Sequence, residues 1–378
     1  MGDSTLWTDE FMNSMRTTGD PLADDVVREL FVDNEVSEVN NLMRTLTMNE
    51  YSQPAALPQC VGSYLKCTDA LPSWVDLDMI KSGEDVFWRF GPELILILTC
   101  YGLPFCYLGK NGVPVLALTC RLMSNPARRV LETAQMVVDV MQAGGLTSDQ
   151  GRGRRTIQKV RRMHAAVRKL APTSPEWNPA YGLPVNQEDL AGTLMAFSFV
   201  ALEGLRKLGL ELSDHDREAY LYCWRIVGTM LGLREELLPP DMQNAAVLVD
   251  TIARREFGPS QYAVEMTDAL TKMLADMIPG DVFRHTPKLM IRYFLGEQWA
   301  TWLGADESWW VGTALAPLRL LGLERSDILN DSAAMRQLAQ QVGKLIVGSA
   351  VLVERAGNRP SFTIPLELKQ QWGVNWFS

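Results

Sequence analysis

Histidine is nearly missing from this chain: three occur in 378 residues, His164, His215 and His285. That scarcity argues against a multi-histidine zinc site. His215 sits in a solvated helix start, SDHDRE, and His285 precedes Thr286-Pro287 as a turn residue. The six cysteines (Cys60, Cys67, Cys100, Cys106, Cys120 and Cys223) form no CxxC pair and no CxxCH haem-attachment site. They read as free thiols in a reducing compartment, with no disulfide framework. A GK[ST] ending is lacking, which excludes a P-loop. GxSxG is lacking too, which lowers the case for an α/β-hydrolase, and so is ExxH, which argues against a ferritin-like di-iron site. GRGRRT, residues 151–156, is a broken GxGxxG without its third glycine or a preceding strand, and reads as a loop.

Basic excess is absent. Against 36 Lys and Arg stand 45 Asp and Glu, a net charge of -9, so the chain as a whole does not suit nucleic acid. A long apolar run is also absent. LILILTCYGLPFCYL, from Leu94 to Leu108, is broken by Gly102 and Pro104. A membrane-crossing helix needs about 20 apolar residues, so a buried helix running into a turn is expected, with no transmembrane segment. The start, MGDSTLWTDEF, has neither a basic opening nor an apolar stretch. The expectation is a cytoplasmic protein.

What is present is helix signal. Asp20-Pro21 opens a helix through Phe31, with Asp20 as N-cap and Pro at the first position. Further helices are expected at Glu35 to Leu46, Leu77 to Phe90, Pro92 to Cys100, Pro126 to Gln142 and Arg154 to Ala171. Asn186 caps one long segment to Leu208, apolar nearly all round and so central. Ser213 caps the next, and others follow at Asp241 to Phe257, Gln261 to Met277, Pro287 to Leu303, Ser308 to Leu321 and Ser332 to Val353. Residues 53–74 read as an irregular connector. Val113 to Leu118 and Ser361 to Ile364 are the only strand candidates. The fold class expected is all-α, a single large helical domain with at most a small hairpin.

Two constellations carry chemistry. IQKVRRMHAAVRK, residues 157–169, places Ile157, Val160, His164, Val167 and Ala171 on one helix face, with basic neighbours beside them. One reading of His164 is a core imidazole that fills space. The other is a single axial ligand, since one His suffices for haem iron where most other metals want several ligands. The neighbouring cations either meet haem propionates or form a solvated basic face. In RRVLETAQMVVDVM, residues 128–141, Arg129, Glu132 and Thr133 share a face that continues as Met136 and Val140. The trio is either a surface pair with a neighbouring hydroxyl, or a polar group at the mouth of an apolar cavity that moves a proton or orients dioxygen.

These stretches resemble the latex clearing protein family of rubber oxygenases and the wider MpaB-type oxygenases. The likeness runs from about Met12 to Leu321, through MRTTGDPLADDVV, LPSWVDLDMI, GEDVFWRFGP, RRVLETAQ, VRRMHAAVR, GLPVNQEDLAGTLMAFS, YLYCWRIVGTMLGL and IRYFLGEQWATWLG. The resemblance implies a globin-like core around haem b, with His164 as proximal ligand and metal site, and Arg129 and Thr133 in the distal pocket. Arg161 is expected beside a propionate, and Thr193 and Phe197 beside the cofactor, although Thr193 reads equally well as a packing residue. Residues 1–50 are then an N-terminal helical arm, 51–330 the oxygenase-like core, and 331–378 a C-terminal helix and tail. Rubber oxygenases carry Lys at the position of Glu132 and a base further upstream, where LGKNGVPVLALTCRL here holds no acid. The expectation is therefore an O2-using haem b oxygenase of a small apolar substrate, isoprenoid- or polyketide-like, with Glu132 as the proton-handling group. A haem-based sensor without turnover and a non-haem lipid-binding helical protein are the alternatives.

Overall fold

The computed structural model describes residues 6–33, 58–122, 126–148, 151–277, 286–305 and 332–355. Among them the regular elements are helices, and one isolated antiparallel bridge joins Gly109 to Phe257. The all-α class expected from the sequence is the class observed. In chain order the helices are α1 (Asp9–Met15), α2 (Pro21–Asp33), α3 (Gln59–Cys67), α4 (Leu77–Ile97), α5 (Leu103–Tyr107), α6 (Val113–Leu122), α7 (Pro126–Met141) and α8 (Arg152–Leu170). After them come α9 (Gln187–Phe197), α10 (Phe199–Lys207), α11 (Asp214–Met230), α12 (Met242–Glu256), α13 (Gln261–Met277), α14 (Thr286–Leu295), α15 (Glu297–Trp302) and α16 (Ser332–Arg355).

Several expected elements are corrected. Val113–Leu118 is not a strand but the body of α6. The Gly109–Gly112 turn delivers Val113 with its N–H on the Gly109 carbonyl, 2.8 Å away. Pro114 then falls in the first turn, where its missing N–H breaks no bond. Ser361 to Ile364, Glu35 to Leu46 and Ser308 to Leu321 lie outside the described residues. The connector 53–74 contains α3, whose Val61 and Tyr64 are buried. The central segment from Asn186 is interrupted at Ser198, with φ -107° and ψ -86°, which divides α9 from α10. The helix expected from Pro287 to Leu303 breaks at Gly296, whose φ of 81° suits only glycine.

The core is laid along α4. Asp76 caps it by accepting from the N–H groups of Asp78 and Met79. Pro92 removes one backbone donor and crowds the preceding turn, and the backbone leaves helical geometry at Phe90. The chain does not turn at Gly102 and Pro104 as expected. It passes through a π-helical turn, Leu98–Gly102, into α5, with Pro104 harmless in the first turn of α5. The resulting rod, Leu77–Tyr107, is long and apolar enough to cross a membrane, but 83% of its most apolar window is buried inside the bundle. It packs as a core helix against α11 and α16.

The crossing of α4 with α11 depends on Gly83. A Cβ there would lie 2.5 Å from Cys223 Sγ and 2.6 Å from the Ala219 carbonyl oxygen. Backbone cannot yield as a flexible side chain does. Gly83→Ala is expected to destabilise the fold by about 1–3 kcal/mol, read as a lower urea midpoint. An unchanged midpoint would mean the two helices separate freely.

Candidate functional site

Helices α7 and α8 are antiparallel neighbours joined at their near ends. There the Thr156 hydroxyl donates to Asp139 Oδ2 at 2.8 Å, and Gln135 Nε2 donates to Asp139 Oδ1 at 2.7 Å. Burial pushes the Asp139 carboxyl up, against these two hydrogen bonds and the charges of Arg152 and Lys159. Glycines make the joint close. A Cβ on Gly145 would sit 2.3 Å from the Asp139 carbonyl oxygen, and one on Gly153 would sit 2.7 Å from that of Gly145. GRGRRT is thus not a loop: α8 begins at Arg152, and Gly153 serves the packing of its first turn.

Outward from this joint, Thr133 and Glu132 lie six and seven residues back along α7, and His164 lies eight residues forward along α8. At about 1.5 Å per residue, all three stand roughly 9–12 Å from the Asp139–Thr156 pin, at one level of the helix pair. Helical twist, about 100° per residue, carries Thr133 and His164 toward the same side of the pair. Glu132, Thr133 and His164 are half-buried, and His164 Nδ1 is shielded from solvent. Arg129 lies one turn before Thr133 in α7; its side chain is outside the described residues.

The expected apolar stripe of α8 is only partly closed. Ile157 and Ala171 are buried, but Val160, His164 and Val167 are half-buried. The flanking arginines are not a solvated basic face: Arg161, Arg162 and Arg168 are buried. Arg161 grips Asp20 with two bonds, Nε to Oδ2 at 2.6 Å and Nη2 to Oδ1 at 2.7 Å, and its Nη1 donates to the Met230 carbonyl at 3.1 Å. Burial opposes the Arg161 charge, yet the bonds and charge of Asp20 outweigh it and hold its pKa above the usual value. Three N–H groups of the Arg161 guanidinium are thus engaged by Asp20 and Met230. Arg168 donates to Asp24 Oδ1 at 2.7 Å and to the Val185 carbonyl at 2.9 Å. Arg162 lies over the Tyr64 ring, 5.3 Å from its centroid, and burial lowers its pKa.

Asp20 and Asp24 were not legible as partners of α8. Asp20 looked like a helix cap, but its carboxylate reaches across to α8. Gln187, 1% exposed, joins the same network, donating to the carbonyls of Gly19 at 2.9 Å and Gly232 at 3.0 Å. Phe197 packs on Trp224 of α11 at 5.1 Å between centroids. The Thr193 hydroxyl donates to the Asp189 carbonyl at 2.8 Å and hydrogen-bonds Cys106. These bonds tie α9 to α5, while the Thr193 residue itself is exposed.

The acids of the NQED stretch form a second buried cluster. Arg16 Nη1 is 3.0 Å from Glu256 Oε2, 3.2 Å from Asp189 Oδ1 and 3.7 Å from Glu188 Oε2. Arg255 Nε is 2.9 Å from Glu188 Oε1, and its Nη1 is 2.7 Å from Asp9. Two buried carboxylates, Glu188 and Glu256, and the half-buried Asp189 thus face two guanidinium groups. Burial first, and then the Glu256 charge, push Glu188 up to about 7 against the pull of Arg255 and Arg16. Burial likewise raises Asp189 to about 6. Both values lie above those of an unfolded chain, so between about pH 4 and the raised values of about 6 and 7 the folded protein holds protons that the unfolded chain has released. Stability from these groups is full at acidic pH and is lost as pH rises through 6 to 7. Unfolding free energy is expected to drop by about 1–3 kcal/mol from pH 5 to 8. Glu188→Gln should flatten that slope in urea titrations; an equally steep slope in the variant would contradict the assignment.

Comparison with known proteins places these residues in a family. A family model described as ER-bound oxygenase mpaB/B'/Rubber oxygenase, catalytic domain, matches residues 112–323, from the turn before α6 to beyond α15. The rubber oxygenase of Streptomyces sp. (strain K30) is 26% identical over 321 residues, which are 79% of this chain and 76% of that protein. The structure of latex clearing protein LCP in the closed state aligns with a TM-score of 0.70 at 20% identity. That alignment covers 96% of this chain and 90% of that one, and is a likeness of fold.

Proposed function

From the premise that the chain belongs to the mpaB/rubber oxygenase catalytic-domain family, we propose that it is a haem b oxygenase whose iron is held by His164. An oxygenase of apolar substrates is what the family supports; the haem, the site residues and the substrate size are our reading. Counted from the Asp139–Thr156 hydrogen bond at about 1.5 Å per residue, His164 falls near the level of Glu132 and Thr133, and this supports the reading. The donor set fits haem. Among the described residues, no group of three or more His, Cys, Asp and Glu is placed to hold a metal. A single imidazole suits a macrocycle that brings four nitrogens of its own.

Bound haem would supply the dioxygen chemistry that side chains lack. The chain's residues do the rest. His164 holds the cofactor from α8. Glu132 takes or gives the proton at its carboxyl, Thr133 donates a hydrogen bond from its hydroxyl, and Arg129 supplies positive charge from the turn before. Glu132 has this role because the segment from Leu108 to Leu122 holds no acid. The half-buried aliphatic residues Val160 and Val167 beside His164 suit an apolar substrate. The substrate proposed is a small isoprenoid- or polyketide-like compound met in the cytoplasm.

Oxygen uptake tests this. The haem-supplied protein is expected to consume O2 when given short unsaturated isoprenoids or polyketide-like chains, and little when given polyisoprene. A haem-loaded protein silent with every small compound would refute turnover and leave an oxygen-sensing module.

A further inference from the structure

We infer that Asp20 and Asp24 are positioning residues for His164, gripping α8 on both sides of the imidazole; this rests on the proposed role of His164. Arg161 lies three residues before His164 and Arg168 four residues after it, so both neighbour His164 on the helix surface. Asp20 holds the first by a two-point fork and Asp24 holds the second through Oδ1. The two acids are locked together, because the Asp20 N–H donates to Asp24 Oδ2 at 2.9 Å. Each arginine also reaches a backbone carbonyl of another segment, Met230 and Val185. Neither rotation of α8 about its axis nor sliding along it leaves both aspartate contacts intact.

The surroundings are shaped to this clamp. Gly232 has φ 85°, and a Cβ there would lie 2.6 Å from Asp20 Oδ2 and 2.7 Å from Arg161 Nε. A Cβ on Gly19 would lie 2.6 Å from Asp24 Oδ2. Gln187 bridges the carbonyls of these same two glycines. Four separated stretches, GDPLAD, RRMHAAVR, NQED and LGLR, thus meet at one polar knot beside His164. A buried ion pair adds little net stability over apolar packing of the same volume. One such buried pair, Arg161–Asp20, and one partly hydrated pair, Arg168–Asp24, flank the imidazole and therefore point to placement of that ring. Groups that orient a metal ligand are worth about 10- to 100-fold in affinity.

The test reads the imidazole with and without haem. With ring-labelled histidine the protein is expected to show ring signals from its three histidines, and His164→Ala would assign those of one. Asp24→Asn is the main variant, because the Asp24 side chain is 31% exposed and its loss spares the fold; Asp20→Asn is the severe one. Gln340→Ala is the control, breaking a 2.7 Å bond to buried Glu93 between α16 and α4. Both aspartate variants are expected to move the His164 ring signals and leave those of His215 in place. They should also raise haem loss to an acceptor globin by about 10- to 100-fold, while Gln340→Ala does neither at a matched loss of stability. Unmoved His164 signals in Asp24→Asn would overturn the inference, even with haem bound normally. Moved signals in a protein that takes up no haem would uphold the positioning and refute the proposed cofactor instead. If Asp20→Asn does not fold, Asp24→Asn decides alone.

Discussion

Asp20→Ala is expected to lower the unfolding free energy by about 3–5 kcal/mol. The Arg161 guanidinium, 10% exposed, would keep only the Met230 carbonyl and lose both oxygens of its counter-ion. A buried cation left so cannot shed its proton, since arginine stays charged in proteins. The Asp20→Leu/Arg161→Met double variant should recover most of the loss, because it removes both charges and fills the space. Asp24→Ala should cost less, about 1 kcal/mol, as its carboxylate is partly hydrated. Urea titrations followed by circular dichroism give all three values. A loss below about 1 kcal/mol for Asp20→Ala would show that the pair is in contact with water.

Glu132→Gln is expected to slow substrate-dependent oxygen uptake by about 10²- to 10⁴-fold, the usual worth of a positioned acid or base. Haem content should stay at the wild-type level. The amide keeps the shape of the side chain and removes only its proton exchange. Asp139, the next acid along that face, cannot substitute: both its oxygens are engaged, by Thr156 and Gln135, two turns away. Uptake equal to wild type in Glu132→Gln would remove the carboxyl from the reaction.

Local chemistry explains which parts of this architecture were legible beforehand. The caps at Asn186 and Ser213 were readable because each acts within three residues, accepting from Asp189 and Asp216. The face of α8 around His164 was readable from its period. Val113 to Leu118 misled because a short apolar run has no period that separates strand from helix. The buried arginines were illegible for a different reason. A charge in sequence looks solvated until its partner is known, and Asp20 lies 141 residues from Arg161. Glu132 and Thr133 stood out by spacing, whereas their level with His164 required the Asp139–Thr156 pin. Gly232 gave no signal either, since its need for φ 85° arises only where Asp20 meets Arg161.

The visible absorption spectrum of the full chain, purified with haem supplied during expression, beside His164→Ala, tests the central claim most directly. A Soret band in the wild type that is lost or shifted in the variant is the expected result. A folded wild type that stays colourless on adding haem, or a variant with the same band, would contradict His164 as the axial ligand.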